Sequence, residues 1–483
     1  MILYLHALRV ARARQLRARA LRPLARRRFP AGEPPREAAP VPAGADLWRS
    51  AAFAPSPPPE ASTRLGRFHR QYGDDVLEAA RAGDLAEARR LVATWIEAHP
   101  PRNGDAWHPY PLSTRVGNWV ASLTLLPELA SPELSRSLWR QVRRLQRNVE
   151  DDVLGNHVIR NARALVLGGA AFGAAEPVRQ GVELLRRELR EQVLPDGGHY
   201  ERSPSYHLLV LRDLLEIQAA SPHSWLGEAI ERMRGFATGL ARPDGAPALF
   251  NDGTVDAPRL ELAEPPEGLS VFPDSGFVVV REGPLWLAFR CGPPAPDFLP
   301  AHAHADALSF QLWWRGRPVV VDPGTYTYER GAERNWYRST RAHSTVVVDG
   351  RDQFKLWGAF RSGPLPKVSL RYAREQAVEA SVVLRGRIRH VRRIEWAGNE
   401  VVVHDRLEGK GRHRLESRLV WAPRAPEVEL ELLGLDLPGD GELEAEEAWV
   451  SERFGQRDAT SPAVARVVRE LPASIGFRVR CLI

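Results

Sequence analysis

The spacing of the apolar residues changes once along the chain, near residue 273, and this change constrains the fold more than any other feature of the sequence. From about Leu65 to Leu260, apolar residues recur three and four positions apart, which is typical of amphipathic helices. The segments with this spacing are Asp75 to Ala98, Ser131 to Val149, Val158 to Gly173, Pro177 to Gln192 and Ser205 to Ala219. Antiparallel helix pairs of this kind can close into a helical toroid, although the spacing also fits a bundle or a solenoid.

Beyond residue 273 the sequence consists of short runs rich in Val, Leu, Phe and Trp, broken by Gly, Pro and Asn. The runs are Gly276 to Arg281, Leu285 to Cys291, Leu308 to Trp314, Val378 to Leu384, His390 to Trp396, Glu400 to Leu407 and His413 to Trp421. They predict an antiparallel β-sandwich, and therefore an α+β multidomain chain. We expect an arm and linker at residues 1–61, a helical toroid domain at 62–268 and a β-sandwich domain at 269–483.

The composition is that of an ordinary globular protein, with 43% hydrophobic and 26% charged residues. No uninterrupted apolar stretch approaches the roughly 20 residues that a membrane-spanning helix requires. The apolar residues at positions 1–8 precede the first charges instead of following them, so no secretory signal is predicted. A cytoplasmic or membrane-peripheral protein is the expectation. The two cysteines, Cys291 and Cys481, imply no disulfide framework.

The N-terminal arm is strongly basic and contributes much of the net charge of +7. No acidic residue precedes Glu33, and the arginines of the arm are Arg9, Arg12, Arg14, Arg17, Arg19, Arg22, Arg26, Arg27 and Arg28. Because apolar residues lie between the arginines, the arm could form an amphipathic helix in peripheral contact with an anionic membrane; the alternative is a solvated or disordered arm. Residues 29–61 are rich in proline and alanine and are expected to be a linker without a packed core. No nucleic-acid partner is expected, because later basic residues are interspersed with acidic ones.

Histidines and aspartates cluster around the first strands of the second half. His302, His304 and Asp306 alternate, and in an extended segment residues two apart point to the same face. Asp322 follows one apolar run and His343 precedes another, so adjacent strands could bring His304, Asp322 and His343 together. Two imidazoles and a carboxylate with an open fourth position suit zinc. The alternative is that these are hydrogen-bonded residues at strand ends, with no metal.

Five segments resemble the heparinase II/III family of polysaccharide lyases, which includes alginate and oligoalginate lyases. They are Gly155-Asn-His-Val-Ile-Arg-Asn161, Asp196-Gly-Gly-His-Tyr-Glu-Arg-Ser-Pro-Ser-Tyr-His207, His302-Ala-His-Ala-Asp306, Val321-Asp-Pro-Gly-Thr-Tyr326 and Arg341-Ala-His-Ser344. The resemblance follows the order of the family, extends from about Leu65 to the C-terminus, and implies an (α/α) toroid followed by a β-sandwich. The basic arm and linker lie outside it.

The resemblance implies β-elimination at a uronic acid in an acidic polysaccharide. A base removes the proton at C5 while the glycosidic oxygen leaves C4, and hydrogen-bond donors must neutralise the adjacent carboxylate. Asn156 and His157 match the neutralising positions, although Asn156 could instead be a helix N-cap. Tyr206 matches the acid, or the acid and base together, with Tyr200 as a rival in the same motif. His302 would act as base or carboxylate partner.

Further roles also follow from the resemblance. Tyr328 occupies roughly the place of a second active-site tyrosine, with Tyr326 and Tyr337 as competitors. Zinc held by His304, Asp322 and His343 would be mainly structural and would fix the strand that carries His302. Asp306 would orient one of these imidazoles, or else turn the backbone before Leu308.

Candidate substrate-binding residues combine cationic, amide and aromatic groups. Arg115, Asn118 and Trp119 lie close together in sequence and suit carboxylate pairing and sugar stacking, although helix packing is an equal explanation for Trp119. The other candidates are Arg160, Tyr200, Glu201 and Arg338.

Two other functions remain open from the sequence. A glycan hydrolase would normally need two carboxylic acids across the bond, and Glu201 and Asp252 are only separated candidates. A noncatalytic glycan-binding or polysaccharide-assembly protein on the same scaffold is the other alternative. The identity of the glycan and the choice between endo and exo cleavage are not encoded in the spacing.

Overall fold

The structure is a computed structural model that describes residues 2–26, 29–30, 32–50, 60, 62–433 and 442–482. The first half of the chain is helical. Its helices are α1 (Ile2–Val10), α2 (Ala13–Arg26), α3 (Ala45–Arg49), α4 (Arg64–His69), α5 (Asp74–Arg81), α6 (Leu85–Ala98), α7 (Pro109–Leu125), α8 (Pro132–Gln146), α9 (Asn156–Ala171), α10 (Ala175–Gln192), α11 (Pro204–Ala220) and α12 (Ser224–Leu240). Within the described ranges, none of the helices has the length and apolar character that a membrane span requires.

Four of the five predicted helical segments correspond to α8, α9, α10 and α11 within a few residues. The segment from Asp75 to Ala98 is instead divided into α5 and α6. Gly83 adopts a left-handed φ of 75°, and the side chain of Asp84 accepts the backbone N–H of Glu87 to begin α6. Helix α7 was not predicted, because nearly all of its residues are buried and it has no polar face to create an amphipathic spacing.

The segment between the arm and α4 packs into the helical domain. Ala38, Val41 and Trp48 are buried in the same core as α7 and α8, and Trp48 donates from Nε1 to Glu216 at 2.9 Å. The prediction of a linker without a packed core is therefore wrong for residues 32–50. Its apolar residues are too few among the prolines and alanines to reveal this packing by composition.

The second half forms antiparallel sheets. The strands are β1 (Gly268–Phe272), β2 (Phe277–Glu282), β3 (Leu285–Arg290), β4 (Phe310–Trp314), β5 (Arg317–Val320), β6 (Val346–Val348), β7 (Val368–Arg374), β8 (Ala377–Val383), β9 (Arg389–Ala397), β10 (Glu400–Glu408), β11 (Arg412–Leu419), β12 (Val428–Leu433), β13 (Glu442–Ala445), β14 (Ala448–Val450), β15 (Asp458–Thr460), β16 (Ala463–Glu470) and β17 (Ala473–Cys481). In the described residues their orders are β1-β2-β3-β4-β5, β12-β17-β10-β9-β8-β7, β13-β16-β11-β6 and β14-β15. A short helix, α13 (Ala332–Tyr337), lies between β5 and β6.

The sheet of β1 to β5 has both faces covered, and this joins the two halves of the protein. Val278 and Val280 of β2 point into the sandwich core, which the sheets containing β10 and β11 complete. The alternate residues Phe277 and Val279 pack against Phe236 of α12. Burial on both faces explains why these strands read as continuous apolar runs.

We expect Trp48→Ala to lower the free energy of unfolding by about 3 to 5 kcal/mol, because it empties a core position and removes the donor to buried Glu216. Urea unfolding followed by circular dichroism measures the change. Arg49→Ala is the neighbouring control, since the side chain of Arg49 is 64% exposed. Equal, small losses in the two variants would contradict the packing described for this segment.

Candidate active site

The carboxylate of Asp252 lies at the centre of the candidate site, in the loop that joins the helical domain to the sheets. Its Oδ2 is 2.8 Å from Nδ1 of His302, and its Oδ1 is 2.9 Å from Nε2 of His304. Arg334 of α13 donates to both oxygens, with Nη2 at 2.7 Å from Oδ2. Burial alone would raise the pKa of Asp252, but Arg334 and the two histidines hold it well below its usual value. One ionised carboxylate therefore orients both histidines.

Asn251 fixes the loop that carries this carboxylate. It adopts a left-handed φ of 58°, which asparagine tolerates better than most residues. Its Nδ2 donates to the carbonyls of Arg202 at 3.0 Å and Pro294 at 2.9 Å, and its Oδ1 accepts the backbone N–H of His304 at 3.0 Å. The helical domain is thereby attached to the loop between β3 and β4. The Asn-Asp-Gly sequence is a turn signal, but the spacing gave no sign of these distant partners.

Tyr206, Tyr328 and His302 come together at the cleft between the two domains. Tyr206 lies in the first turn of α11, and its hydroxyl is 2.9 Å from the hydroxyl of Tyr328. Its ring centroid is 4.0 Å from that of His302. Burial raises the pKa of both tyrosines well above the ordinary value; Tyr328 adds to the effect on Tyr206, and Asp252 adds to it for both residues. Both hydroxyls therefore carry their protons at neutral pH.

The competing tyrosines lie elsewhere. Tyr326 and Tyr337 stack on each other, with ring centroids 5.9 Å apart. Tyr200 is buried, and its ring lies against His199 and Phe298. Tyr328 is thus the tyrosine that contacts Tyr206.

Glu201 joins the N-terminus of α9 to His302. Its Oε1 accepts the backbone N–H of Asn156 at 2.9 Å, and its Oε2 is 3.3 Å from Nε2 of His302. The N-cap of α9 is Gly155, so Asn156 is not the N-cap and that alternative is wrong. A Cβ at Gly155 would come within 2.3 Å of Glu201 Oε1, and this glycine also has a φ of 62°, so the position requires glycine.

The side chains of Asn156 and His157 stand at the start of α9. Oδ1 of Asn156 is buried and has no hydrogen-bond partner among the described residues. His157 is 30% exposed, and its Nδ1 is 3.2 Å from Oε1 of Glu150. Arg160, one turn further along, is paired with Asp213 at 2.9 Å. Asn156 and Tyr206 lie in the first turns of α9 and α11, and the N-terminal end of a helix favours an anionic group.

The predicted binding residues of α7 do not reach the cleft. Arg115 is fully buried and donates to Gln141 at 2.9 Å and to the carbonyl of Ala106 at 2.8 Å. Asn118 donates to Asp74 at 2.7 Å, and Trp119 is fully buried in the helical core. This placement differs from the predicted role in sugar binding, because a buried side chain offers no surface to a ligand.

Arg338 also has a packing role. It is buried and donates to the carbonyls of Ala303, Gly358 and Ala359 at 3.0 to 3.1 Å. These bonds hold together the two loops that flank His302.

A buried cluster of potential metal ligands lies beneath His302. Atoms of Asp306, Asp322 and His343 lie within 4.8 Å of one another, and Nδ1 of His304 is 3.3 Å from Nε2 of His343. Oδ2 of Asp322 has no hydrogen-bond partner in the part of the chain that the structure describes. Burial raises the pKa of Asp306 to about 6, and burial together with Asp306 raises that of Asp322 well above its usual value. Nη1 of Arg290 lies 3.2 Å from Oδ2 of Asp306, and a metal cation beside Asp322 would stabilise these crowded carboxylates further.

The hydrogen bonds of His304 and His343 also fit a metal site. His343 donates from Nδ1 to the carbonyl of Ser339 at 2.7 Å, and His304 donates from Nε2 to ionised Asp252. Burial lowers the pKa of His304 to about 4 and that of His343 well below its usual value, so both are neutral. The facing nitrogens, Nδ1 of His304 and Nε2 of His343, then both carry lone pairs, as metal ligands do. Asp252 is the carboxylate that orients His304, whereas Asp306 pairs with Arg290 at 3.2 Å.

We expect Asp252→Asn to lower the free energy of unfolding by about 3 to 5 kcal/mol, because it leaves the buried Arg334 without its counter-charge. Asp349→Asn is a matched control: Asp349 also contacts a histidine, His413, at 2.8 Å, but at the surface. In Asp349→Asn the free energy of unfolding, measured by urea titration, should fall by less than about 1 kcal/mol. Similar losses in both variants would show that Asp252 does not have this central role.

Comparison with known proteins is consistent with this architecture. Residues 87–278 match the model described as Heparinase II/III N-terminus, and residues 264–477 match the model described as Heparinase II/III-like, C-terminal. Heparin-sulfate lyase of Bacteroides stercoris is 25% identical over 375 residues, covering 61% of this chain and 54% of that protein. FtsZ-localized protein C of Caulobacter vibrioides is 28% identical over 313 residues, covering 61% and 53%. The chain spans about half the length of the curated relatives it matches.

Solved structures share the fold. A crystal structure of heparinase III superimposes with a TM-score of 0.72 at 14% identity, covering 96% of this chain and 89% of that one. Heparan sulfate lyase from Pedobacter heparinus superimposes with a TM-score of 0.60 at 18% identity, covering 90% and 78%. The two family models together extend from residue 87 to residue 477, across both the helical domain and the sheets, and the chain belongs to the heparinase II/III family.

Proposed function

We propose that this protein is a polysaccharide lyase that cleaves a uronic-acid-containing polysaccharide by β-elimination. The observation that carries the proposal is the contact between the hydroxyls of Tyr206 and Tyr328 beside the ring of His302. Proton donors and an imidazole lie there next to two helix N-termini, so one site combines proton transfer with anion binding. The lyases among the relatives that this chain resembles support the same reaction class.

Carboxylate neutralisation is assigned to the start of α9. The C5 proton of a uronate is poorly acidic while its carboxylate is fully charged, so donors must stabilise the charge that develops during abstraction. Asn156 and His157 are the side chains in the first turn of α9, and His157 is partly exposed to the cleft. Arg160 is less suited to direct contact, because Asp213 already pairs with it.

Proton transfer is assigned to His302 and Tyr206. Asp252 binds Nδ1 of His302, so Nε2, which lies 3.3 Å from Oε2 of Glu201, is the nitrogen that takes the C5 proton. The C5–H electron pair forms the C4–C5 double bond as the C4–O bond breaks, and Tyr206 donates its proton to the departing oxygen. The proton on His302 then returns to the Tyr206 phenolate, which restores both groups. Tyr328 donates to that phenolate and stabilises its charge.

A hydrolytic mechanism is less compatible with the geometry. It needs one carboxylic acid that holds a proton, and Arg334 with two histidines keeps the pKa of Asp252 low. Both oxygens of Asp252 are also engaged, and the residue is buried.

Zinc is the metal we assign to the buried cluster. His304 Nδ1, His343 Nε2 and the orphaned Oδ2 of Asp322 would hold it, with Asp306 as a fourth candidate ligand, and this mixed nitrogen and oxygen set suits zinc. The role is structural: the ion would fix the loop of His304, and with it His302, against the sheet.

A noncatalytic role is the second candidate, and one observation favours it. The chain resembles FtsZ-localized protein C at 28% identity, slightly above its identity to the heparin-sulfate lyases. The same scaffold would then bind a glycan, or take part in its assembly, without cleaving it.

We expect the purified protein to release products with the ultraviolet absorbance of a conjugated unsaturated uronate from at least one member of a panel of uronate polysaccharides. Tyr206→Phe should lower kcat by about 10² to 10⁴-fold, because it removes the proton donor while keeping the ring. Tyr372→Phe, on strand β7, is the matched control and should retain activity.

Each other outcome has a distinct meaning. New reducing ends without this absorbance would replace elimination with hydrolysis. Glycan binding without any cleavage, in a folded protein with its metal bound, would support the noncatalytic candidate. Full activity in Tyr206→Phe would remove that residue from the mechanism.

We also expect the protein to bind zinc, and His343→Ala and Asp322→Asn to lose it, because each removes a ligand. Elemental analysis after dialysis measures the zinc content, and the rise in Tm on adding zinc gives a second readout. His404→Ala changes an exposed histidine outside the cluster and should keep the metal. Zinc retention by both cluster variants would contradict the assignment.

A further inference from the structure

The N-terminal arm, defined here as α1 and α2, is attached to the helical domain through its arginines. Arg14 contacts Glu188 at 2.7 Å and Glu191 at 3.0 Å, near the end of α10. Arg22 pairs with Asp152 in the loop before α9. Because the side chain of Glu188 is fully buried, this ion pair also compensates a buried charge.

The arm also contacts the β-sandwich domain. The ring of Tyr4 lies 5.0 Å from that of Trp357, and the guanidinium of Arg12 lies 4.2 Å from the ring centroid of Phe298. Gln15 is buried between these contacts. The alternative of a solvated or disordered arm is therefore wrong for residues 2–26, and the arm is fixed to both domains.

The outward surface of the arm exposes leucines together with arginines. Leu5, Leu8, Leu16 and Leu21 are exposed by 58%, 56%, 39% and 48%, and together with Tyr4 they make up half of the exposed large hydrophobic residues in the described chain. An ordinary surface helix buries its leucines and exposes its arginines. In α2, Arg14 and Arg22 face the protein and Leu16 and Leu21 are exposed, alongside exposed arginines such as Arg17. Such a concentration of exposed apolar side chains marks a contact surface.

The charge around this face defines its partner. Arg9 and Arg17 are exposed and make no ion pair within the described ranges, and no acidic residue precedes Glu33. A second copy of the arm would bring like charges together, which disfavours a symmetric dimer through this face. An anionic lipid surface offers both an apolar layer for the leucines and negative headgroups for the arginines.

We propose that the outward face of the arm binds the surface of an anionic membrane. The leucines enter the boundary between headgroups and acyl chains, and Arg9 and Arg17 contact the headgroups. The inner pairs of Arg14 and Arg22 stay formed, so the protein docks as a rigid body with its cleft held in one orientation to the membrane.

Co-sedimentation of the full chain with lipid vesicles tests this proposal. Binding is expected to phosphatidylcholine vesicles that contain phosphatidylglycerol, and not to phosphatidylcholine alone. The double variant Leu5→Ser, Leu8→Ser should weaken binding by about tenfold or more. Arg9→Gln with Arg17→Gln should weaken binding and reduce its dependence on salt. Leu443→Ser, at a position 48% exposed on β13, is the matched control and should bind normally.

Absence of vesicle binding would overturn the proposal, as would equal binding to neutral and anionic vesicles. A dimer that the leucine variant abolishes, without vesicle binding, would assign the face to a second copy instead. Circular dichroism of each variant establishes that the fold is intact. The experiment measures no cleavage, so its outcome is independent of the proposed lyase activity.

Discussion

The pairing of Asp252 with Arg334 is the interaction on which the rest of the site depends. A buried carboxylate without partners would cost several kcal/mol, and Arg334 offsets that cost from the β-sandwich domain. Each carboxylate oxygen that binds Arg334 also binds one histidine: Oδ2 binds His302 and Oδ1 binds His304. The ion pair that links the two domains therefore also orients the imidazole of His302, beside Tyr206, and the imidazole of His304, beside His343. Loss of either histidine contact would remove one hydrogen bond from the buried carboxylate. The orientations of His302 and His304 are therefore coupled through Asp252.

This coupling requires the domains to be fixed against each other. The doubly covered sheet of β1 to β5 provides that, because β2 is packed against α12 on one face and against the sandwich core on the other. At the end of α12, Arg281 donates to the carbonyls of Gly239 at 2.9 Å and Ala241 at 2.6 Å, and so satisfies groups that a helix C-terminus leaves unpaired. The loops that leave this sheet carry His302 and His304, and their positions follow from the packing beneath them.

The sequence predicted what depends on local periodicity and on contiguous motifs. Amphipathic spacing identified α8 to α11, and the short apolar runs broken by Gly, Pro and Asn identified the main strands. Helix α7 has no polar face, and the local pattern around Trp48 gives no sign of its distant partner Glu216, so both required tertiary contacts to recognise. Arg115 and Trp119 illustrate the converse: residue types that suit sugar binding are equally good at filling a helical core, where both residues lie.

Within the candidate site, too, contiguous motifs could be recognised from the sequence and distant partners could not. The motif that contains Tyr206 was recognisable, and so was the pair of histidines, because each is continuous in sequence. Asp252 was named only as an isolated carboxylate, since its partners His302 and Arg334 lie 50 and 82 residues away. Its pKa is the property that separates the two readings of this residue. Burial raises the pKa of an isolated carboxylate and makes it an acid, whereas a paired guanidinium keeps it ionised and makes it a hydrogen-bond acceptor for histidines.

The N-terminal arm also makes contacts with residues that are distant in sequence, close to the candidate site. Arg22 binds Asp152, four residues before Asn156 at the start of α9, and Arg12 lies over Phe298, four residues before His302. The segments that lead to Asn156 and to His302 are thus the same segments that hold the arm. Each of these two arm contacts therefore lies within four residues of a side chain proposed to act on substrate.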